Sequence, residues 1–310
     1  MTLQTEEKPL CGARAYSLLR RGGDGRIAGA YSGAAYLLFS DGMLMLHDRR
    51  RGSVPFGIGV SDYPRLRSLF AEGTEVSLRP SADGGEPLSA EIRSAAGTLR
   101  LTEILPDPRR CKQTALPDAA AVREAASRLR DGNAGGFAPA VLSLLGEKPE
   151  LASRPYLAAA LPRINALLDA LFSGEEGPAL SAAAGRLIGL GQGLTPSGDD
   201  LLCGTLYFLH AFSPADPALE CAARRLRTAL SPLLSLTGAV SREYLFAAME
   251  DGYFEVTADF ADALAGGRPL GPALDALLAV GASSGGDIAA GFLLAAGRAL
   301  SLAKKRAAPA

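Results

Sequence analysis

Apolar and polar residues alternate over the first third of the chain with the period of two that is typical of half-buried β-strands. Strand-like segments of this kind or short apolar runs occur at 34–39, 43–46, 74–79, 90–93 and 98–102. Ser40-Asp41-Gly42 separates the first two and is a hairpin signal. Over residues 11–105 we predict five to seven short strands, with one helix near 63–71. A small β-barrel or a sandwich-like domain would accommodate them.

Further along the chain, the apolar spacing changes to that of helices. Asp118 can cap a helix over 119–130, and Asp216-Pro217 combines an N-cap residue with proline at the first helical position. Additional helices are predicted at 155–172, 201–212, 240–250, 257–265, 272–280 and 287–302. The pattern therefore predicts an α+β chain in which a β-rich domain, residues 1–112, precedes an all-helical domain, residues 113–310.

Composition and charge exclude several classes of function. The chain has 310 residues, 48% of them hydrophobic, which excludes a disordered protein. Its 32 Lys+Arg and 33 Asp+Glu residues give a net charge of −1, so we expect no nucleic-acid partner. Four dispersed cysteines and two histidines cannot supply a structural zinc site. We predict no metal site and no cofactor, with Mg²⁺ on acidic side chains left as an open alternative.

The same chain shows no pattern typical of secretion or membrane insertion. Residues 1–8 lack the basic and apolar blocks of a signal peptide. The longest uncharged apolar stretch, 288–297, has about half the length that a bilayer requires. We therefore expect a cytoplasmic protein without a membrane partner.

The most informative segment is a glycine-rich turn that leads into a strongly apolar helix. Gly189, Gly191 and Gly193 stand at every second position, where they permit tight turning or close approach of a ligand. Four polar side chains then crowd the start of the helix: Thr195, Ser197, Asp199 and Asp200. Because a helix N-terminus favours anions, the segment predicts a site for a small anionic substrate. Asp199 and Asp200 point about 100° apart, so we expect them to have different roles.

A second copy of the pattern lies 87 residues further along the chain. Ser197-Gly198-x-Asp200-x-x-x-Gly204 matches Ser284-Gly285-x-Asp287-x-x-x-Gly291, although Gly286 replaces Asp199. Glycine inside a helix costs about 1 kcal/mol relative to alanine, so both internal glycines need a structural reason. If the two helices cross at these glycines, their N-termini meet and the serine and aspartate side chains surround one pocket.

Two other interpretations of these residues remain open. Serine followed three positions later by an acidic residue is also a capping box, so Ser284 and Asp287 can serve as a helix cap alone. Thr237 and Ser241, before a later helix, either join the pocket or cap that helix. His47 precedes Arg49-Arg50-Arg51 and is expected at the surface, whereas His210 lies in the apolar helix and is expected in the core.

Residues 191–204 resemble a bacterial family long listed as a domain of unknown function. It is the family of the AllH-type subunit of oxamate carbamoyltransferase, which accompanies FdrA-like partners in anaerobic allantoin catabolism, a route of purine degradation. Residues 237–241, 284–287 with Gly291, and Pro55-Phe56-Gly57 support the resemblance.

The resemblance implies a carbamoyltransferase subunit in a hetero-oligomer, which transfers a carbamoyl group between carbamoyl phosphate and oxamate. Asp199 and Asp200 are the candidate catalytic residues. The candidate substrate-binding residues are Gly191, Gly193, Thr195, Ser197, Gly198, Thr237, Ser241, Ser284, Gly285 and Asp287. The alternative is a non-catalytic protein that binds a small carboxylate or assists assembly.

Overall fold

The computed structural model describes residues 2–5, 8–81, 85–107, 111–132, 135–173 and 177–307. The chain divides into two compact units. The first is Met1–Arg109 together with Gly252–Glu255, and the second is Arg110–Asp251 together with Val256–Ala310.

The first unit is a β-barrel. The strands of its described part are β1 (Thr2–Gln4), β2 (Leu10–Gly12), β3 (Gly23–Ala30), β4 (Ala34–Phe39), β5 (Gly42–Asp48), β6 (Gly57–Val60), β7 (Glu75–Pro80), β8 (Leu88–Ser94) and β9 (Gly97–Asp107). Its helices are α1 (Ala13–Arg21) and α2 (Tyr63–Leu66), with 3₁₀ turns at Arg49–Arg51 and Arg67–Leu69.

The long strand β9 closes the barrel. Eight strands pair in the order β2-β6-β5-β4-β3-β7-β8-β9, and β9 returns to pair with β2. The first part of β9 pairs with β8 and with β1, whereas its end, from Leu105 to Asp107, pairs with β2. Closure removes the unpaired edges that an open sheet would expose. The predicted fold class is confirmed, and of its two alternatives the barrel is correct.

Helix α1 is absent from the sequence prediction, which assigned only one helix to this region. The helix packs against the core of the barrel through Ala15, Leu18 and Leu19, all of which are buried. It begins where the backbone N–H groups of Arg14 and Ala15 donate to the carbonyl of Pro55. Its nine residues carry too short an apolar stripe to stand out between neighbouring strands. The predicted helix near 63–71 is confirmed as α2 and the 3₁₀ turn that follows it.

The predicted surface position of His47 is wrong. Strand β5 places this side chain on the face opposite to the barrel-core residues Leu44 and Leu46, and it is fully buried there. Nδ1 lies 3.0 Å from the carbonyl oxygen of Asp48, and burial lowers the pKa of the imidazole to about 4. His47 is therefore neutral at physiological pH, with Nδ1–H as the donor to that carbonyl.

The second unit is helical, as the sequence predicts. Its helices in the described residues are α3 (Ala119–Asp131), α4 (Pro155–Phe172), α5 (Pro178–Gly185), α6 (Ser197–Phe212), α7 (Pro217–Leu230), α8 (Ala239–Met249), α9 (Glu255–Leu264), α10 (Leu270–Leu278) and α11 (Ser284–Ala307). Two 3₁₀ segments, Ala138–Leu145 and Ser231–Leu236, and the short helix α5 were not predicted. Asp118 and Asp216 cap α3 and α7 as expected, each accepting a backbone N–H.

Helices α6 and α11 form the centre of this unit. Fifteen residues of α6 are buried, including His210, as expected for a core histidine. Helix α11 is the one helix of the described residues that is long and apolar enough to span a membrane. However, 67% of its most apolar window is buried against the rest of the protein, as in the core helix of a folded unit.

Candidate functional site

Glycine is required at two positions of the turn before α6. Gly189 and Gly191 have φ angles of +73° and +131°, which other residues rarely adopt. A Cβ atom at Gly189 would lie 2.8 Å from the Leu236 carbonyl oxygen, and one at Gly191 would lie 2.6 Å from the backbone nitrogen of Ser197. The backbone of this turn therefore approaches the start of α6 more closely than a side chain would allow.

The first helix opening does not use a capping box. The N-cap residue of α6 is Pro196, and no side chain makes a capping hydrogen bond there. The backbone N–H groups of Asp199 and Asp200 donate instead to the Pro196 carbonyl, at 2.9 and 3.1 Å. Ser197 is the first helical residue and its side chain is half-buried, so its hydroxyl is available for other contacts.

The predicted crossing of the two glycine-containing helices is confirmed. A Cβ at Gly204 of α6 would lie 2.0 Å from the carbonyl oxygen of Ile288, and a Cβ at Gly291 of α11 would lie 2.0 Å from that of Leu201. These two contacts are equivalent under the 87-residue offset of the motif. The helix pair therefore has internal two-fold character at its crossing point, close to both N-termini.

Gly198 and Gly285, proposed from the sequence to bind substrate, pack against backbone in the structure. A Cβ at Gly198 would lie 2.0 Å from the carbonyl oxygen of Leu187, and one at Gly285 would lie 2.0 Å from that of Leu277. Each glycine therefore lets the first turn of its helix lie directly on the segment that precedes it.

The two helix openings are joined by hydroxyl groups. The Oγ1 of Thr195, in the glycine-rich turn, lies 3.0 Å from the Oγ of Ser284, the first residue of α11. The same two hydroxyls hydrogen-bond the carboxyl group of Asp200 and favour its charged form. Thr195, Asp200 and Ser284 thus belong to one cluster, although 89 residues separate the two hydroxyls along the chain.

Asp199 points away from this cluster and connects three segments. Its Oδ1 accepts from the Gly189 N–H at 2.7 Å, and its Oδ2 accepts from the hydroxyls of Ser241, at 2.6 Å, and Thr237. Burial raises the pKa of Asp199, while these hydrogen bonds oppose the shift. Both oxygens are engaged, so this side chain fixes the turn to the start of α8. Thr237 and Ser241 are connected to the site only by their hydrogen bonds to Asp199, as far as the described residues show.

Asp287 is held by a loop that the sequence analysis did not include. Its Oδ1 accepts from the backbone N–H of Phe137 at 2.5 Å. Gly136 has φ +59°, and a Cβ there would lie 2.3 Å from the same oxygen. A capping box would direct the carboxylate back to the start of α11, so a cap alone does not account for Asp287. The Gly135-Gly136 pair was the available sequence signal.

The carboxyl groups of Asp200 and Asp287 are almost completely buried, with exposed fractions of 1% and 0%. The Oδ2 atom of each accepts no hydrogen bond from the described residues. Burial is the largest cause of the raised pKa of Asp200, and the charges of Asp287 and Asp199 raise it further. Burial likewise raises the pKa of Asp287 to about 6, against the Phe137 N–H and the hydroxyls of Ser197 and Ser283.

No basic side chain of the described residues neutralises this pair. The groups that favour the charged forms of Asp200 and Asp287 are hydroxyls and one backbone N–H. Buried charges in proteins are otherwise paired or bound to a metal. Two buried acidic groups beside two helix N-termini are therefore the main electrostatic feature of the cluster.

Two other candidate features lie outside the cluster. The carbonyl of Pro55 receives the first N–H groups of α1, and Phe56 is fully buried, so this segment supports the barrel unit. Gly193 lies at the exposed tip of the glycine-rich turn with φ +91°. Among the described residues, no atom other than those of its chain neighbours lies within 4 Å of a Cβ placed there, so this position is open to a ligand or partner.

The comparison with curated proteins and the comparison with solved structures find no match. Residues 187–296, about a third of the chain, match the family model described as oxamate carbamoyltransferase subunit AllH. The matched region begins in the glycine-rich turn and includes both helix openings and both crossing glycines. This match confirms the resemblance to the AllH-type family that the glycine-rich motif predicts.

Proposed function

We propose that the chain is a subunit of an oxamate carbamoyltransferase-like complex of the cytoplasm, working with FdrA-like and other subunits. The observation that carries the proposal is the coincidence of two regions. The stretch that matches the AllH family is the same stretch that assembles Thr195, Asp200, Ser284 and Asp287 at two helix N-termini.

The reaction sets clear chemical demands on a site. The amide nitrogen of oxamate attacks the carbamoyl carbon of carbamoyl phosphate, the bond from that carbon to the phosphate oxygen breaks, and the nitrogen loses a proton. The products are oxalurate and phosphate, and the reverse reaction forms carbamoyl phosphate. Such a site needs donors for a carboxylate or a phosphate, donors for the developing oxyanion, and a proton acceptor.

The helix opening offers groups for binding the substrate and for orienting it. The turn backbone around Gly191 and Gly193 supplies the proposed N–H donors, and the half-buried hydroxyls of Thr195, Ser197 and Ser284 are further proposed substrate-binding groups. Asp200 is proposed to orient the reacting groups, directly or through a bound metal, because its Oδ2 accepts no hydrogen bond from the described residues. Asp199 has a positioning role in this proposal, since both of its oxygens hold other segments.

The proposal is tested by reconstitution with FdrA-like partners. The complex is purified from co-expressed subunits, and phosphate release from carbamoyl phosphate is measured with and without oxamate. We expect oxamate-dependent turnover, and a fall in kcat/KM of about tenfold to a hundredfold in Ser197→Ala and Asp200→Asn. The matched controls are Ser301→Ala and Asp275→Asn, which alter exposed positions on α11 and α10.

Co-purification of the subunits is measured for every variant, so that loss of assembly is separated from loss of turnover. An assembled complex in which both site variants retain wild-type kinetics would assign the chain to assembly or carboxylate binding rather than to catalysis. A wild-type complex without oxamate-dependent turnover would contradict the proposed reaction itself.

A further inference from the structure

We infer that Asp200 and Asp287 form a binding site for one hard divalent cation of the Mg²⁺ class, held between the N-terminal ends of α6 and α11. Their two Oδ2 atoms are buried and accept no hydrogen bond from the described part of the chain. A buried polar atom without a partner is uncommon in a folded protein and calls for an explanation such as a bound ion.

The charge of the site favours a cation over a further hydrogen-bond donor. The carboxyl groups of Asp200 and Asp287 are close enough for the charge of Asp287 to raise the pKa of Asp200, and no ion pair between described side chains includes either of them. Removing two like charges from water without compensation is strongly unfavourable. One divalent cation balances the two carboxylates completely.

The surrounding groups are the oxygen ligands that Mg²⁺ prefers. The hydroxyls of Thr195 and Ser284 lie beside Asp200, and the hydroxyls of Ser197 and Ser283 lie beside Asp287. The described residues contain no cluster of three or more His, Cys, Asp and Glu side chains suited to a metal. The site therefore matches the usual mode of Mg²⁺, which binds one or two carboxylates and completes its shell with water or substrate phosphate.

The carboxylate of Asp287 is already oriented for binding a cation. Its Oδ1 is fixed by the Phe137 N–H at 2.5 Å, so Oδ2 of Asp287 is left in a defined direction. The close crossing at Gly204 and Gly291 holds the two helix starts together and thereby holds both ligands in place. Ligands fixed by neighbouring hydrogen bonds bind metal more tightly than mobile ones.

The cation also resolves the electrostatic conflict in the cluster. A phosphate or carboxylate substrate would be repelled by two carboxylates, whereas a bridging cation attracts it. The cation site itself is argued from the two aspartates alone, and only the contact between the cation and substrate phosphate rests on the proposed function.

The site is tested with Mn²⁺ as the probe and the full chain in metal-free buffer. Free Mn²⁺ is followed by its electron paramagnetic resonance signal during titration. We expect one saturable Mn²⁺ per chain, displaced by Mg²⁺, with binding at least about tenfold weaker in Asp200→Asn and in Asp287→Asn. Asp275→Asn, on the exposed face of α10, should bind Mn²⁺ like the wild type.

Thermal unfolding of the same proteins keeps the test decisive if one variant folds poorly. We expect Mn²⁺ to raise the Tm of the wild type and of Asp275→Asn, but not that of either site variant. Absence of saturable binding, or equal binding by wild type and both site variants, would overturn the cation site. Because neither measurement uses substrate or partner subunits, that result would leave the proposed carbamoyl transfer to its own test.

Discussion

The barrel and the helical unit bury different kinds of ionisable group. In the barrel, Cys11 and His47 are buried, and burial raises the pKa of the thiol to about 12 and lowers that of the imidazole to about 4. Both groups are therefore uncharged at neutral pH. In the helical unit, three buried aspartates gather at two helix starts with several hydroxyls around them.

This difference separates a scaffold from a site. A neutral buried group has a smaller electrostatic cost than a charged one, as with His47, whose Nδ1 donates to the Asp48 carbonyl while its Nε2 has no hydrogen-bond partner among the described residues. A cluster of buried carboxylates is costly unless something compensates for it, and proteins retain such clusters mainly where function requires them. The comparison supports our proposal that the chemistry of this chain belongs to the helical unit.

The largest expected effect comes from the helix crossing on which the cluster depends. Gly204→Ala places a Cβ 2.0 Å from a backbone carbonyl oxygen of α11, which cannot move without separating the helices. We expect a loss of about 3 kcal/mol in the free energy of unfolding, measured by urea denaturation and far-UV circular dichroism. On helix propensity alone the substitution would stabilise α6 by about 1 kcal/mol, so the sign of the change is informative.

Gly185→Ala is the matched control for that substitution. Gly185 ends α5, and a Cβ there would meet only the Leu233 side chain, at 3.6 Å. We expect a change within about 0.5 kcal/mol of the wild type. Equal effects at both positions would show that the crossing is not what holds the two helix openings together.

The glycines also show which features of the fold can be predicted from the sequence alone. Gly204 and Gly291 stand inside apolar helices where glycine is unfavourable, so a close helix contact was predictable from their positions. The alternation of strands such as β7 and β8 was equally visible, because period two is a local property. The closing of the barrel by β9 was not predictable, since it depends on pairing with β1 and β2 at the other end of the unit.

Other parts of the site depend on contacts that leave no local pattern. The Phe137 N–H reaches Asp287 across 150 residues, and the Asp199 carboxylate reaches Ser241 across 42. The sequence did predict that Asp199 and Asp200 point in different directions. It could not show that Asp199 has both oxygens engaged while Asp200 leaves one without a partner.

The stability of the barrel is expected to depend on pH through His47. The unfolded chain protonates His47 below about pH 6.5, whereas the folded barrel keeps it neutral down to about pH 4. Because the unfolded state binds the proton more tightly, stability falls as the pH decreases through this window. Protonation of His47 in the unfolded state lowers the free energy of unfolding by about 1.4 kcal/mol per pH unit, and by about 3 kcal/mol over the whole window.

His47→Gln removes the titration and isolates this contribution. The difference in free energy of unfolding between wild type and variant is measured at pH 7, 6, 5 and about 4. We expect the free energy of unfolding of the variant to increase steadily relative to that of the wild type as the pH decreases. A difference that stays constant with pH would mean that the imidazole of the folded barrel titrates normally, and the contrast between the two units would be lost.

The smallest expected effect tests Asp199 as the anchor of the turn. Asp199→Ala leaves the Gly189 N–H and the hydroxyls of Thr237 and Ser241 without their acceptor. We expect a loss of about 2 kcal/mol in the free energy of unfolding, because buried donors lose charge-assisted hydrogen bonds while one desolvated carboxyl is removed. The exposed Asp275→Ala is the control and should change stability by less than about 0.5 kcal/mol.

A double-mutant cycle with Ser241→Ala measures the anchor directly. If Asp199 stabilises the turn through this hydroxyl, the two substitutions together cost about 1 kcal/mol less than the sum of their separate effects. Additive effects would mean that the Ser241 contact contributes no net stability. Asp199 would then stabilise the turn only through Gly189 and Thr237, and the site would lose its energetic link to the body of α8, where Ser241 lies.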